Sequence, residues 1–163
     1  MNEEYLTLYR VAHNNAAHLV AEAQLLFENG KYARAFFLAF TALEEISKSQ
    51  LAADVFTGFI TEKEFLDHYL NHKKKIGRMA WATDAAQHYL DAWDDSYMEL
   101  KPPTIGARMN ALYVSLKEKH VQSPEDIVTE DEARGVIRTV NAALDAITRN
   151  ELMGYRPGTR GFM

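Results

Sequence analysis

Apolar residues recur at helical spacing through most of the chain. From Glu3 to Asn29 the series Leu8, Val11, Ala12, Ala16, Leu19, Val20, Ala23, Leu26 and Phe27 makes one stripe, and Asn29-Gly30 is a stop signal. This pattern predicts a long amphipathic helix. A second helix is predicted from Lys31-Tyr32 to about Val55, closed by Gly58, and the short connection predicts an antiparallel pair. Thr61 followed by Glu64 has the order of a capping box and leads into a short helix through Phe65, Leu66, Tyr69 and Leu70. Helix is also expected from Lys75 to Glu99, ended by Lys101-Pro102-Pro103. Arg108 to Lys119 reads as a further helix with Leu112, Tyr113 and Leu116 on one side, followed by a loop at Gln122-Ser123-Pro124. Thr129 with Glu132 is a second capping box, and Ala133, Val136, Ile137, Val140, Ala143, Leu144 and Ile147 form the stripe of the last helix.

No clean strand alternation and no internal repeat is found, so the expected fold class is all-α, an up-and-down helical bundle of five to seven helices. Residues 1–153 form one bundle domain in this reading. Residues 154–163, rich in glycine with one proline, form an irregular tail.

One stretch departs from the amphipathic pattern. Phe36, Phe37, Leu38, Ala39 and Phe40 cover every side of a helix, because successive residues step by roughly 100°. Such a segment belongs inside the bundle. It runs directly into Glu44, Glu45 and Lys48, with the lysine four residues after one glutamate and three after the other. These three are expected to form one polar cluster in a dry setting. Two readings of it stand side by side: an ion pair that fixes helix packing, or a functional site whose carboxylates are perturbed by burial.

Composition narrows the chemistry. At 163 residues and 47% hydrophobic content the chain supports one core, and the absence of cysteine removes disulfides, thiolate catalysis and thiolate-bound metals. The N-terminus lacks the basic start and apolar run of a signal peptide, and no stretch approaches membrane-span length, so a cytoplasmic protein without a membrane partner is expected. A net charge of -5 argues against broad, non-specific nucleic-acid binding. Two local basic patches remain: His72-Lys73-Lys74-Lys75 with Arg78, and the tail with Arg156 and Arg160.

Motifs for several chemistries are missing. There is no Glu-x-x-His, no His-Glu-x-x-His, no Gly-x-Ser-x-Gly and no phosphate-cradling glycine loop. No metal and no cofactor are therefore expected. His68 and His72 would share a face if one helix carried both, and His72 with Lys75 lies beside the basic run. Arg108 and Tyr113 lie about a turn and a half apart in the helix read there, a guanidinium suited to phosphate and a phenol able to donate a hydrogen bond.

The series Gly30-Lys31-Tyr32, Ala35, Leu38-Ala39 and Ala42-Leu43-Glu44-Glu45-Ile46-Ser47-Lys48 resembles the opening helices of the AbiV family of abortive-infection proteins. Its hallmark is the Ala-Leu-Glu-Glu-Ile-x-Lys run. His72-Lys73-Lys74-Lys75-Ile76 looks like the family's His-x-x-Lys element, and Ala111-Leu112-Tyr113-Val114 after Arg108 looks like its Ala-Leu-Tyr-Val segment. The resemblance implies a HEPN-type helical domain, and many HEPN proteins are metal-independent ribonucleases. It also implies a homodimer with a site between the copies, where an Arg-x(4 to 6)-His motif cleaves RNA through its 2′-hydroxyl.

This chain departs from that motif. Position 113 is tyrosine, His120 lies too far from Arg108, and His18 too far from Arg10. Two functions follow as expectations. One is an antiphage protein that arrests the infected cell, by inhibiting translation after engaging a phage protein. The other is a divergent ribonuclease acting on RNA, with Arg108 and His72 or Tyr113 at the chemistry and Glu44, Glu45, Lys48 and Lys75 around them.

Overall fold

The computed structural model describes residues 3–93, 100–152 and Gly158, and within these the side chains of residues 72, 73, 75–77, 80, 81, 92 and 93 fall outside the description. The elements run α1 (Glu3–Glu28), α2 (Tyr32–Phe56), α3 (Glu62–Leu70), α4 (His72–Trp93), α5 (Ile105–Leu112), β1 (Ser115–Lys117), β2 (His120–Gln122), α6 (Pro124–Ile127) and α7 (Glu130–Leu152). The expected all-α bundle is what forms, with a two-stranded hairpin as its one β element among the described residues.

The directions of the four long helices follow from which ends touch. Tyr9 near the start of α1 shares a core cluster with Leu51, Ala52 and Val55 near the end of α2, so these two are antiparallel. Tyr32 at the start of α2 donates to Glu130 at the start of α7 (2.9 Å), which makes those two parallel. Arg78 early in α4 meets Asp54 late in α2, so α4 runs against α2. The order is up, down, up, down.

The main core is α2 surrounded by the other three. Phe40, Leu43, Ile46, Met79 and Val140 are fully buried there, and Ala133, Val136, Ile137, Ala143 and Ile147 supply the stripe of α7. Ala12, Ala16 and Ala23 of α1 and Ala35, Ala39 and Ala42 of α2 are all buried, and side chains this small let packed helices approach closely. Gly58, at φ +74°, closes α2: its N–H donates to the Val55 carbonyl and the Phe59 N–H to the Asp54 carbonyl, a Schellman cap that needs a left-handed residue.

Both predicted capping boxes form. Thr61 and Glu64 satisfy each other's backbone amides at 2.8 and 3.3 Å, as do Thr129 and Glu132 at 2.8 and 3.2 Å. Three sequence expectations are corrected. The helix expected over Arg108–Lys119 ends at Leu112, and the chain continues as the β1–β2 hairpin with Leu116 opposite Val121. Position 113 is the C-cap of α5, in extended conformation, so Tyr113 does not share a helix face with Leu112 and Leu116. The loop expected around Pro124 holds a single helical turn, opened by Ser123, whose N–H donates to Asp126 at 2.8 Å.

His68 and His72 also part company. Asn71 is extended and divides α3 from α4, so no one helix carries both. The end of the helix expected at Glu99 falls outside the described residues, and so does the tail apart from Gly158.

Candidate functional site

The two glutamates of α2 are half-buried, their side chains 17% and 14% exposed, as a carboxylate pair ending an apolar rod should be. They do not form one cluster with Lys48. Neighbouring residues of a helix point about 100° apart, and here that rotation sends them to different partners. Glu45 pairs with Lys48 along the same helix, and the Lys48 ammonium lies 5.9 Å from the centre of the Tyr69 ring on α3. Glu44 turns instead towards α5, where Arg108 Nε stands 3.8 Å from its Oε2.

Arg108 is held from three directions. Its guanidinium carbon lies 5.2 Å from the Phe37 ring centre and 5.8 Å from that of Phe40, so the planar cation rests against two aromatic side chains of α2. The Thr104 hydroxyl caps α5 by accepting the Ala107 N–H at 3.2 Å, which fixes where the first turn begins. Arg108 Nε is buried and makes no hydrogen bond, since 3.8 Å to Glu44 is an electrostatic approach only. Nε is closed to solvent beside the Glu44 carboxylate, but the side chain as a whole is 28% exposed, and the accessible part of a guanidinium held in this way can take an anion by charge-assisted hydrogen bonds.

The remaining sequence-derived site residues are placed unevenly. Tyr113 sits at the α5 C-cap with its side chain 54% exposed. His72 and Lys75 lie in the first turn of α4, and their side chains are outside the description. Thus, among the described side chains, Glu44 meets Arg108 and Glu45 meets Lys48, two adjoining pairs on α2. His120 belongs to the exposed hairpin, its Nδ1 3.1 Å from the Glu118 carbonyl.

Sequence reasoning overlooked the polar band that continues along α2. Ser47, Ser49, Gln50 and Asp54 are all buried. The serine hydroxyls donate to the Leu43 and Ile46 carbonyls at 3.0 and 2.8 Å, while Gln50 Oε1 is buried without a partner. Asp54 faces Arg78 Nη1 at 3.4 Å and lies against the backbone of Gly158. The signal was available, because Asp54 interrupts an apolar run just as Glu44 and Glu45 do. Across the molecule, Tyr9 donates to Glu151, and burial lowers the His13 pKa against a weaker opposing pull from Glu151.

The molecule is an all-α, HEPN-like helical bundle with two charged pairs midway along its central helix. The sequence profile of the HEPN AbiV family, described as AbiV, matches residues 4–145, and the chain belongs to that family. Membership gives it an abortive-infection, HEPN-type role. No curated protein and no solved structure matches the chain significantly. Among the described residues no helix is long and apolar enough to cross a membrane, and no group of histidine and carboxylate side chains is arranged to hold a metal ion.

Proposed function

We propose that the protein acts in antiphage defence by arresting the infected cell as a homodimer, inhibiting translation after it engages a phage protein, with Arg108 as the anion-binding residue of its working surface. The observation that supports this most directly is the setting of Arg108. Two phenylalanines and Glu44 hold the guanidinium in place while 28% of the Arg108 side chain stays exposed. Holding a long side chain in advance removes most of the ordering entropy that anion capture would otherwise cost. A phosphate of an RNA or a carboxylate of a protein would meet a cation already oriented.

That same observation favours a second reading, a metal-independent ribonuclease. There the 2′-hydroxyl attacks the neighbouring phosphorus, the bond to the 5′-oxygen breaks, and a 2′,3′-cyclic phosphate and a 5′-hydroxyl result. Arg108 would bear the developing phosphorane charge, while His72 or Tyr113 would handle the proton. Glu44, Glu45, Lys48 and Lys75 would shape the surroundings.

One experiment separates the two. Purified protein is incubated with total RNA and transfer RNA in excess chelator. Cyclic-phosphate ends that vanish in Arg108→Ala establish the ribonuclease. Growth arrest in phage-infected cells without RNA cleavage, together with stable binding to a ribosome or a phage protein, establishes the interaction protein. Arrest and binding unaffected by Arg108→Ala would overturn the assignment of that residue. Glu45→Gln serves as the control: loss of activity at unchanged melting temperature marks a functional pair, and parallel loss of both marks a structural one.

A further inference from the structure

The segment from α5 to the hairpin exposes an unusual amount of apolar side chain. Ile105 and Met109 protrude from α5 at 39% and 45% exposure, and Leu116 and Val121 of the hairpin at 71% and 72%. Ile105 and Met109 are four apart on a helix and point the same way. Leu116 and Val121 are directly paired across the strands and share one face of the ribbon, which Val114, two residues before Leu116, also joins. Large apolar side chains left exposed on two successive elements of one short stretch point to an interaction surface.

The hairpin gives a second reason. Its strands have three residues each, and its turn places Glu118 and Lys119 at φ +50° and +68°, where neither glycine nor asparagine is present to relieve the left-handed backbone. A two-stranded ribbon this short is marginal in water, more so with its apolar face open and its turn strained. A partner packed on its apolar face would stabilise it.

Charge identifies the cover. The hairpin carries Lys117 and Lys119 on either side of Glu118, followed by His120, whereas the next segment carries exposed Glu125 and Asp131 beside Asp126, Glu130 and Glu132, which already serve Ser123, Arg134 and Thr129 of their own chain. The basic and acidic stretches are neighbours in the chain. A two-fold axis between them brings the basic stretch of each copy against the acidic stretch of the other, twice over, with the apolar side chains between.

We propose that α5 and the β1–β2 hairpin form the surface on which two copies of this chain meet. The proposal rests on the homodimer reading given above and names its surface. It also brings Arg108 to the border of the interface, because on α5 that residue lies about 60° around the helix from Ile105. Each copy then presents its Arg108–Glu44 pair beside the partner's hairpin.

The test is the mass in solution by light scattering, with the dimer expected at twice 18.6 kDa. Leu116→Asp with Val121→Asp should give a monomer with unchanged helical circular dichroism. A charge exchange then asks whether the contact is the crossed one. Variant one carries Lys117→Glu and Lys119→Glu; variant two carries Glu125→Lys and Asp131→Lys. Each alone sets like charges against each other and should weaken self-association by more than about tenfold, while a mixture of the two restores a dimer containing one of each. A wild-type chain that is monomeric at all concentrations up to about 100 μM, where a dimer of micromolar Kd would have formed, overturns both this surface and the homodimer reading. A dimer that survives Leu116→Asp with Val121→Asp, or a mixture that fails to pair, overturns the surface alone. Binding of a phage protein by the monomer, abolished by the same aspartates, would likewise overturn it in favour of a foreign partner.

Discussion

Gly158 offers a sharp test of how the chain beyond the last helix is held. Its backbone is buried at φ +107°, and a Cβ placed there would stand 2.6 Å from Asp54 Oδ1 and 3.4 Å from the Asp54 amide nitrogen. Asp54 cannot readily yield, because it is 1% exposed and faces Arg78. Gly30 is the natural comparison. It too has positive φ, +69°, but a Cβ there meets nothing within 4 Å. Gly30→Ala therefore isolates the backbone term, about 1 kcal/mol, or roughly 2–4 °C in melting temperature for a chain of this size. Gly158→Ala adds the collision to a backbone penalty at least as large, since φ +107° lies beyond the left-handed well that Gly30 occupies, giving about 2–3 kcal/mol or more in all. The loss is bounded, since residue 158 lies outside the helices and local detachment relieves the overlap before the core is disturbed. Urea denaturation gives the global figure. Hydrogen exchange at the Thr57 and Phe59 amides, which donate to the Ala53 and Asp54 carbonyls, gives the local one and should speed up only in Gly158→Ala. If Gly158→Ala is no less stable than Gly30→Ala and exchange at those amides is unchanged, the close approach to Asp54 does not hold the segment.

Two further outcomes are expected. Burial holds the His13 pKa below its ordinary 6.5, so as pH falls the unfolded chain takes up the proton first; the stability His13 contributes is complete above about pH 6.5 and is lost as pH falls through the folded value, and His13→Gln should flatten that part of a stability–pH curve. Ala16→Leu forces a branched side chain into the closed seam between α1 and α2 and should destabilise by about 1–3 kcal/mol, whereas the same change at exposed Ala21 should be near neutral by urea midpoint.

Long-range periodicity and capping chemistry made most of the bundle legible. Thr129-x-x-Glu132 opens α7 where its residue types say it should, since both halves of a capping box are local. The hairpin was missed for an equally local reason. Leu112 and Leu116 are four apart and mimic a helix, and the turn that separates β1 from β2 is Glu118-Lys119, with none of the glycine or asparagine that normally announces it. The run Tyr113-Val114-Ser115-Leu116, rich in strand-forming residues, was the available clue. In the candidate site, the half-buried state of Glu44 and Glu45 could be read from the apolar rod before them. Their separation into two pairs could not, because it depends on where α5 and α3 pack, and nothing near residue 44 encodes residue 108 as its neighbour.

That division makes α2 intolerant of any change in length. A single residue deleted between Tyr32 and Leu43 would rotate everything downstream by about 100° and turn Glu45 towards Arg108, while one inserted there would set Leu43 opposite that guanidinium; either swings the buried Gln50 and Asp54 off their seats. Gains and losses of residues in this lineage should therefore accumulate at the turn after Phe56 and within the Tyr113–Ser123 stretch, while the span between the second helix's first tyrosine and its last phenylalanine keeps one invariant count.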